Sequence, residues 1–568
     1  MPGVSSVQPM IRRRTLLAGA TAGLVAAGLA AQPASAHPEP PASVRLLALN
    51  DFHGNLEPPT GSSGTAIDEN GNSVPAGGAA YVAAHLKQLR NRDTLTVAQG
   101  DLIGASPLIS AAFHDEPSVQ FMNDIGLTAS AVGNHEFDEG YQELLRIQNG
   151  GCHPVDGCSP AGEWEGAKFD YLAANVLLEK ENKPLLDPWT IRWINGVKVG
   201  FIGVVTKTTP TIVTADGVKG LRFDDEVDAA NKAAKELKER GVHAMVLLVH
   251  EGDNVTAGEK PDDCGVVPGA GTRIAQQADP DIDVVLSGHT HQQYVCTVKG
   301  PDGRPRLYSS GSSFGRIITQ VDFKVDRRTD DIVRSSMTAD NHVVTRDVPP
   351  DPATQRFVQT WKDRVSVIAD KPIGKITADL TRAPSAAGET TLGDVIADSQ
   401  LAAMKDKGAQ VALMNPGGVR TDLTYKASGS EGDGVVTYGE AFAVQPFSNV
   451  LGVTSLTGAQ LDALLEQQWT SAGEKILQPS ANLHFTIDRS RPAGDRVSNI
   501  TVDGAAVDPA ATYKVAANNF LLGGGDGFTT FTQGKDQVLG PIDLDGFVAY
   551  LTAQGTIAPP ALDRITGQ

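Results

Sequence analysis

Five short apolar runs between residues 44 and 291 end in the same way, and that repetition constrains the fold more than any other feature. Val44 to Asn50 runs into Asp51-Phe52-His53-Gly54-Asn55, and Thr94 to Ala98 into Gly100-Asp101. Ala129 to Val132 runs into Gly133-Asn134-His135-Glu136-Phe137-Asp138. His243 to Val249 ends at His250-Glu251, and Asp283 to Leu286 at Gly288-His289-Thr290-His291. Runs of this length read as buried strands. One polar cluster after an apolar run is an ordinary turn. Five predict an α/β sheet arrangement whose loops converge at the carboxyl ends of the strands, where ligands collect.

The side chains at those ends define a chemistry. Asp51, His53, Asp101, Asn134, His250, His289 and His291 form a mixed oxygen and nitrogen donor set. Seven donors exceed one tetrahedral site and fit two adjacent divalent ions sharing a carboxylate. The Asp-x-His spacing is expected to send Asp51 and His53 to one face of an extended strand, and His289 and His291 likewise. The set contains no thiolate, so zinc, manganese and iron all suit it. Two such ions about 3.5–4 Å apart polarise a phosphoryl oxygen and bring the pKa of water close to neutral, which points to hydrolysis of phosphate esters. Glu136 reads as support for a neighbour. His85, His114, His153, His243, His342 and His484 have no ligand-like partner in register and read as structural or exposed.

At 568 residues the chain is too long for one core. Helical spacing is expected over Ala79 to Arg90 and after Ser106-Pro107. Asn195-Gly196 between two apolar runs predicts a hairpin, and Asp225 to Arg240 reads as a helix with a solvated face. Val348-Pro349-Pro350-Asp351-Pro352 breaks the pattern. The expected organisation is residues 43–346, a boundary and linker helix at 347–370, and a second, smaller α/β domain at 371–566. Its elements are placed at Lys375 to Leu380, Leu392 to Met404, Val411 to Met414, Ala459 to Gln468 and Tyr513 to Ala517.

Residues 1–36 read as an export signal: Arg12-Arg13-Arg14, an apolar stretch from Leu16 to Ala30, and Ala34-Ser35-Ala36 as cleavage site. The arginines before the apolar run favour the twin-arginine route, with an ordinary secretory signal as the alternative. Its removal takes the formal charge from −19 to −22 through the loss of three arginines. So acidic a surface repels long nucleic acid while leaving room for a small phosphorylated substrate at a cationic site. The C-terminus has no apolar tail, so free secretion without a membrane anchor is expected. Four cysteines suit two disulfides in an oxidising compartment, Cys152–Cys158 and Cys264–Cys296. Cys152-His153 looks superficially like a zinc clip, but no second close-spaced cysteine pair accompanies it.

Asp51-x-His53, Gly100-Asp101, Gly133-Asn134-His135-Glu136, His250 and Gly288-His289-x-His291 together resemble the motifs of calcineurin-like metallophosphoesterases. Asn415-Pro416-Gly417-Gly418-Val419-Arg420 and Asn518-Asn519-Phe520 through Gly523-Gly524-Gly525-Asp526-Gly527 resemble the substrate domain of secreted 5′-nucleotidases. The resemblance implies a four-layer β-sandwich flanked by helices, followed by a linker helix and the second domain. It implies that Asp51, His53 and His291 hold one metal, Asn134, His250 and His289 the other, and that Asp101 bridges. His135, oriented by Asp138, would assist the chemistry at the phosphate. The nucleoside base would lie between Phe447 and Phe520, with Asn449 reaching it, Asp526 on the ribose, and Arg420 beside Asn415 on the terminal phosphate. Two departures stand out: a further phosphate-binding arginine of the family is replaced by Ala386, with Arg382 nearest, and His291 stands where some relatives carry glutamine. The expected activity is release of phosphate from nucleoside 5′-monophosphates. The alternatives are 2′,3′-cyclic nucleotide or UDP-sugar hydrolysis on the same fold, or a binding protein with a vestigial site. The intact donor set weighs against the last.

Overall fold

The computed structural model describes residues 39–256, 260–429, 431–447, 449–470 and 473–567. The expected export signal, residues 1–36, lies outside them. Residues 41–568 form one compact unit.

Two sheets face each other in the N-terminal half. The first has seven strands, of which Ile317–Asp326, Ala42–Leu49, Thr94–Ala98, Leu127–Ala131 and Asp170–Leu172 follow one another in spatial order, the last at the edge. The second has six, in the order Gln293–Lys299, Pro305–Gly311, Ile282–Ser287, Met245–His250, Val197–Val205 and Trp189–Ile194. Alternation along each strand builds the layers. Leu46 and Ala48 turn inward with Val97 and Phe323 against Val246, Leu248 and Val284 of the opposing sheet. Leu47 and Leu49 turn outward onto the helix Ala79–Leu89. Ile202, Val204 and Leu247 on the outer face of the second sheet meet Val227, Ala230 and Leu237 of the helix Glu226–Glu239. The expected helix–sheet–sheet–helix sandwich is therefore present, and strands covered on both faces explain the nearly continuous apolar runs. The helix Glu226–Glu239 is amphipathic, with a buried apolar stripe behind the charged face that dominates its sequence.

Asn195 and Gly196 both have positive φ, 49° and 77°, as the two-residue turn between Trp189–Ile194 and Val197–Val205 requires. Both expected disulfides form, Cys152–Cys158 and Cys264–Cys296, and no cysteine is free. Among the described residues no helix is long and apolar enough to cross a membrane.

Asp351 caps the helix Pro352–Ala369 by accepting the Thr354 N–H at 3.0 Å. Trp361 and Val365 on that helix pack in one continuous core with Val82 and Phe121 before it and Val395, Ile396 and Phe442 after it. The proline-rich break thus marks a change of sheet, not a gap in the core. Beyond it, a five-stranded sheet runs in the order Gln478–Pro479, Val411–Met414, Thr512–Asn518, Val450–Thr457 and Lys535–Ile542. The strand expected at Lys375 to Leu380 lies instead at Pro372–Ile376. Pro372 is tolerated as a first strand residue, Ile373 and Ile376 are the buried pair, and Leu380 makes only an isolated bridge to Leu423.

Candidate functional site

All seven expected donors converge at the carboxyl ends of the parallel strands, although not by the expected route. Asp51 and His53 lie beyond the end of Ala42–Leu49, and His289 and His291 beyond Ile282–Ser287, so strand alternation does not aim them. They are aimed by left-handed backbone: Asp51 at φ 49°, His53 at 45°, Asp101 at 49°, His289 at 71° and His291 at 57°. Non-glycine residues take this conformation at a cost, and clustering of that strain is typical of functional sites. Close packing of backbone completes the arrangement. A Cβ on Gly133 would stand 2.1 Å from Asp101 Oδ1, and one on Gly100 would stand 2.5 Å from the Gly133 nitrogen.

Hydrogen bonds at the far nitrogens orient the imidazoles. His53 Nδ1–H donates to the Gly104 carbonyl at 2.9 Å, and His250 Nδ1–H donates to the Gln99 carbonyl at 2.8 Å. Both Nε2 atoms therefore face inward, the backbone-held tautomer typical of metal-binding histidines. Asp101 Oδ2 lies 3.5 Å from His53 Nε2 and 3.1 Å from His250 Nε2, a position shared between two donor groups. One group is Asp51, His53 and His291; a second is Asp101, His250 and His289; a third, His53, Asp101 and His135, overlaps both. Asn134 Oδ1 joins the second, 3.1 Å from His250 Nε2.

The electrostatics fit cations. Asp51 and Asp101 are buried. Burial alone would lower the pKa of His250, yet the carboxylates around it, Asp101 first and Asp51 and Glu136 with it, together outweigh burial and lift that pKa to about 10. Two buried carboxylates thus call for positive charge where the Nε2 atoms meet. His53 Nε2 and His291 Nε2 approach to 3.2 Å, a separation at which two lone pairs need a shared cation or proton between them. The donor set fits two divalent ions.

Glu136 is not a donor. Its carboxylate accepts the backbone N–H groups of Asp101 at 2.9 Å and Leu102 at 2.8 Å, and that of Gly133, and so ties two of the site's loops together. His135 Nδ1 contacts Asp138 Oδ2 at 2.8 Å.

One cleft contains His135, Asp138, Asn134 and His289 from the strand ends together with Asn415, Arg420, Phe447, Asn449, Phe520 and Asp526 from the C-terminal half. Asn415 follows the strand Val411–Met414, and Phe520 follows Thr512–Asn518, so the second half also presents its polar residues at strand ends. Asn415 Nδ2 donates to Asp526 Oδ2 at 3.0 Å. Asn449 Nδ2 donates to the buried Asp543 at 3.3 Å. Phe447 has neighbours of its own, with the His135 ring at 5.7 Å and the Arg420 guanidinium at 5.5 Å. Arg382 pairs with Asp422 at 3.2 Å, and the cleft is lined without it.

Sequence reasoning missed Lys475, which lines this cleft and pairs with Asp526 Oδ1 at 2.5 Å, and the wall Ile212-Val213-Thr214. Neither stretch carries a motif. Lys475 reads as an ordinary surface lysine just after a short hairpin, and only the fold brings it to Asp526.

Residues 44–293 match the calcineurin-like phosphoesterase family model, and residues 372–533 match the 5′-nucleotidase C-terminal domain. The chain is 34% identical to the cell wall protein Lmo0130 of Listeria monocytogenes, over 95% of this chain and 70% of that protein. It is 33% identical to the endonuclease YhcR of Bacillus subtilis over 90% of its own length, but spans only 40% of that larger relative. The crystal structure of a 5′-nucleotidase precursor from Thermus thermophilus superposes with a TM-score of 0.74 at 27% identity, covering 92% of this chain and 99% of that one. The chain therefore belongs to the family of metal-dependent phosphoesterases that join a calcineurin-like phosphoesterase domain to a 5′-nucleotidase C-terminal domain.

Proposed function

We propose that this protein is an exported phosphohydrolase that releases phosphate from nucleoside 5′-monophosphates. The observation that carries the reading is the shared cleft, in which two of the donors, Asn134 and His289, and His135 with Asp138 line one wall and a guanidinium, two aromatic rings and a carboxylate from the C-terminal half complete it. In this reading residues 43–346 carry the chemistry, residues 371–566 select the substrate, and residues 347–370 join them. Two disulfides suit the oxidising compartment to which residues 1–36 would direct the chain.

Asp51, His53 and His291 would hold one divalent ion and Asn134, His250 and His289 the other, with Asp101 shared. Zinc, manganese or iron at these positions would supply Lewis-acid charge and activate water near neutral pH. Arg420 binds the terminal phosphate as a planar fork, which presents the phosphorus to the strand ends. His135, held at Nδ1 by Asp138, stabilises charge on the phosphoryl group or protonates the leaving ribose oxygen. Phe520 and Phe447 take the base, Asn449 reaches its edge, and Asp526 accepts from the ribose hydroxyls while Asn415 fixes its orientation.

The second reading is hydrolysis of a 2′,3′-cyclic nucleotide or a UDP-sugar on the same fold, with Lys475 supporting the Asp526 carboxylate it pairs with. Turnover of AMP, 2′,3′-cyclic AMP and a UDP-sugar by the metal-loaded mature protein separates these readings. Preference for AMP is expected, and turnover of none of the three would contradict both.

A further inference from the structure

Asp253 is a buried acid that the chemistry at the strand ends does not use. It lies three residues past His250, in the loop that leaves the strand Met245–His250. Four donors converge on its carboxylate: Oδ1 accepts the Gly271 N–H at 3.1 Å, and Oδ2 accepts the Thr272 N–H at 2.7 Å, the Thr272 hydroxyl at 2.6 Å and the Tyr308 hydroxyl at 2.9 Å. Gly271 and Thr272 open the helix Ala270–Gln277, whose cap position is Gly269 and offers no side chain. An acid placed there satisfies N–H groups that the helix leaves unpaired and meets its positive end. Tyr308 lies on the strand Pro305–Gly311 and accepts in turn from the Tyr294 hydroxyl at 2.7 Å. A Cβ on Gly271 would stand 2.2 Å from the Tyr308 hydroxyl oxygen, so a glycine there lets the helix reach the phenol.

The main chain at Asp253 has a second partner. Its carbonyl accepts the Thr290 hydroxyl at 3.0 Å, and Thr290 stands between the donors His289 and His291. Gly252 lies so close to the same loop that a Cβ on it would stand 2.4 Å from the Gly288 carbonyl oxygen and 2.7 Å from Thr290 Oγ1. Just before that loop, the Ser287 hydroxyl donates to the Glu251 carbonyl at 2.5 Å.

We propose that Asp253 is a positioning residue of the metal site: its anchored carboxylate holds the loop after His250 against the loop carrying His289 and His291, and so sets the spacing of these three imidazoles. The backbone shows why such a post is needed. His289 and His291 hold φ at 71° and 57°, conformations that persist only where surrounding structure over-determines them. Thr290 supplies that hold from between them, and its anchor cannot shift without disturbing the bonds to the Asp253 carboxylate. A carboxylate suits the position because it only accepts and its neighbours all donate. An amide there has one acceptor oxygen, and its N–H2 must face either Gly271 N–H or the three donors on Oδ2. Asp253 does not line the cleft, so its action runs through ligand geometry. This role rests on divalent metal at the donor set.

Full-length wild type and Asp253→Asn are stripped of metal and dialysed against buffered zinc at graded concentrations. Wild type is expected to hold about two equivalents. Asp253→Asn should hold one of them about 10–100-fold more weakly, the loss that follows when a group behind a metal ligand is removed. Tyr308→Phe, which removes one donor to Oδ2, should shift the same equivalent in the same direction by less. The visible absorption of cobalt-loaded protein reports ligand geometry and should change in Asp253→Asn. Leu461→Ala, in the core of the C-terminal half, should lower the Tm and leave zinc affinity and the cobalt spectrum as in wild type. Unchanged zinc affinity or an unchanged cobalt spectrum in Asp253→Asn would overturn the role and leave Asp253 a helix cap, however far its Tm falls. An equal loss of zinc in Leu461→Ala would also overturn it, as a general effect of lowered stability. Should Asp253→Asn fail to fold, Tyr308→Phe decides on the same two readouts. Wild type that binds none of zinc, manganese and iron would instead refute the metal assignment, and this role with it.

Discussion

Phe447 lies nearly parallel to His135, with ring centroids 5.7 Å apart and planes 18° from parallel. The ring comes from the C-terminal half and the imidazole from the loop after Leu127–Ala131, so the two halves of the chain meet face to face where the phosphate would sit. Phe520 packs its ring against Gly525, where a Cβ would come within 2.6 Å, and among the described residues no aromatic ring stacks on it from the strand-end side.

The two phenylalanines should therefore differ. Phe520→Ala is expected to lower kcat/KM for AMP about tenfold or more while sparing p-nitrophenyl phosphate, because stacking on a base contributes about 1–3 kcal/mol. Phe447→Ala should lower both, since it also removes the neighbour of His135. Steady-state kinetics on both substrates check this. Equal losses with Phe520→Ala would make its ring a core residue.

Asp101 is the carboxylate shared between the donor groups. Asp101→Ala should lower kcat/KM by more than about 100-fold, beyond the 10–100-fold seen when a group behind a metal ligand is lost. Activity within about tenfold of wild type would refute the paired-metal assignment.

Gly133→Ala tests the packing that places Asp101. The added Cβ would stand 2.1 Å from Asp101 Oδ1, so the carboxylate must move. The variant should fold, with a lower Tm from about 1–3 kcal/mol of overpacking, and should retain less metal than wild type. Metal content equal to wild type would show that the loop has slack.

Asp394 gives a pH signature far from the cleft. Burial, partly offset by Arg564, raises its carboxyl pKa to about 9, above the ordinary 3.8. The folded chain therefore holds a proton that the unfolded chain releases. The associated stability is complete below pH 3.8 and is lost as pH rises toward 9. Asp394→Asn cannot titrate, so its stability relative to wild type should climb by on the order of 1 kcal/mol per pH unit between about pH 5 and 9, then level off. Urea unfolding midpoints at pH 5, 7 and 9 measure it, and a constant difference would contradict the assignment.

The strand ends were legible because each motif lies within a few residues of an apolar run, and sequence-local pattern is what periodicity reports. The means of aiming was not legible. Asp51, His53, His289 and His291 reach the site through left-handed backbone, which no alternation rule encodes. Lys475 was invisible for a different reason: its partner is distant in the chain, 51 residues from Lys475 to Asp526, and no motif joins them. The strand at Pro372–Ile376 begins three residues before the expected one, because a first strand position accepts Pro372 and the residues that turn inward are Ile373 and Ile376.

The central claim is that the donor set around Asp101 works through divalent metal. Phosphate release from AMP is measured on protein stripped until metal analysis finds none, and again after reloading with zinc, manganese or iron. Loss of release on stripping and recovery on reloading with at least one of these metals is predicted. Undiminished release from demonstrably metal-free protein would contradict the account.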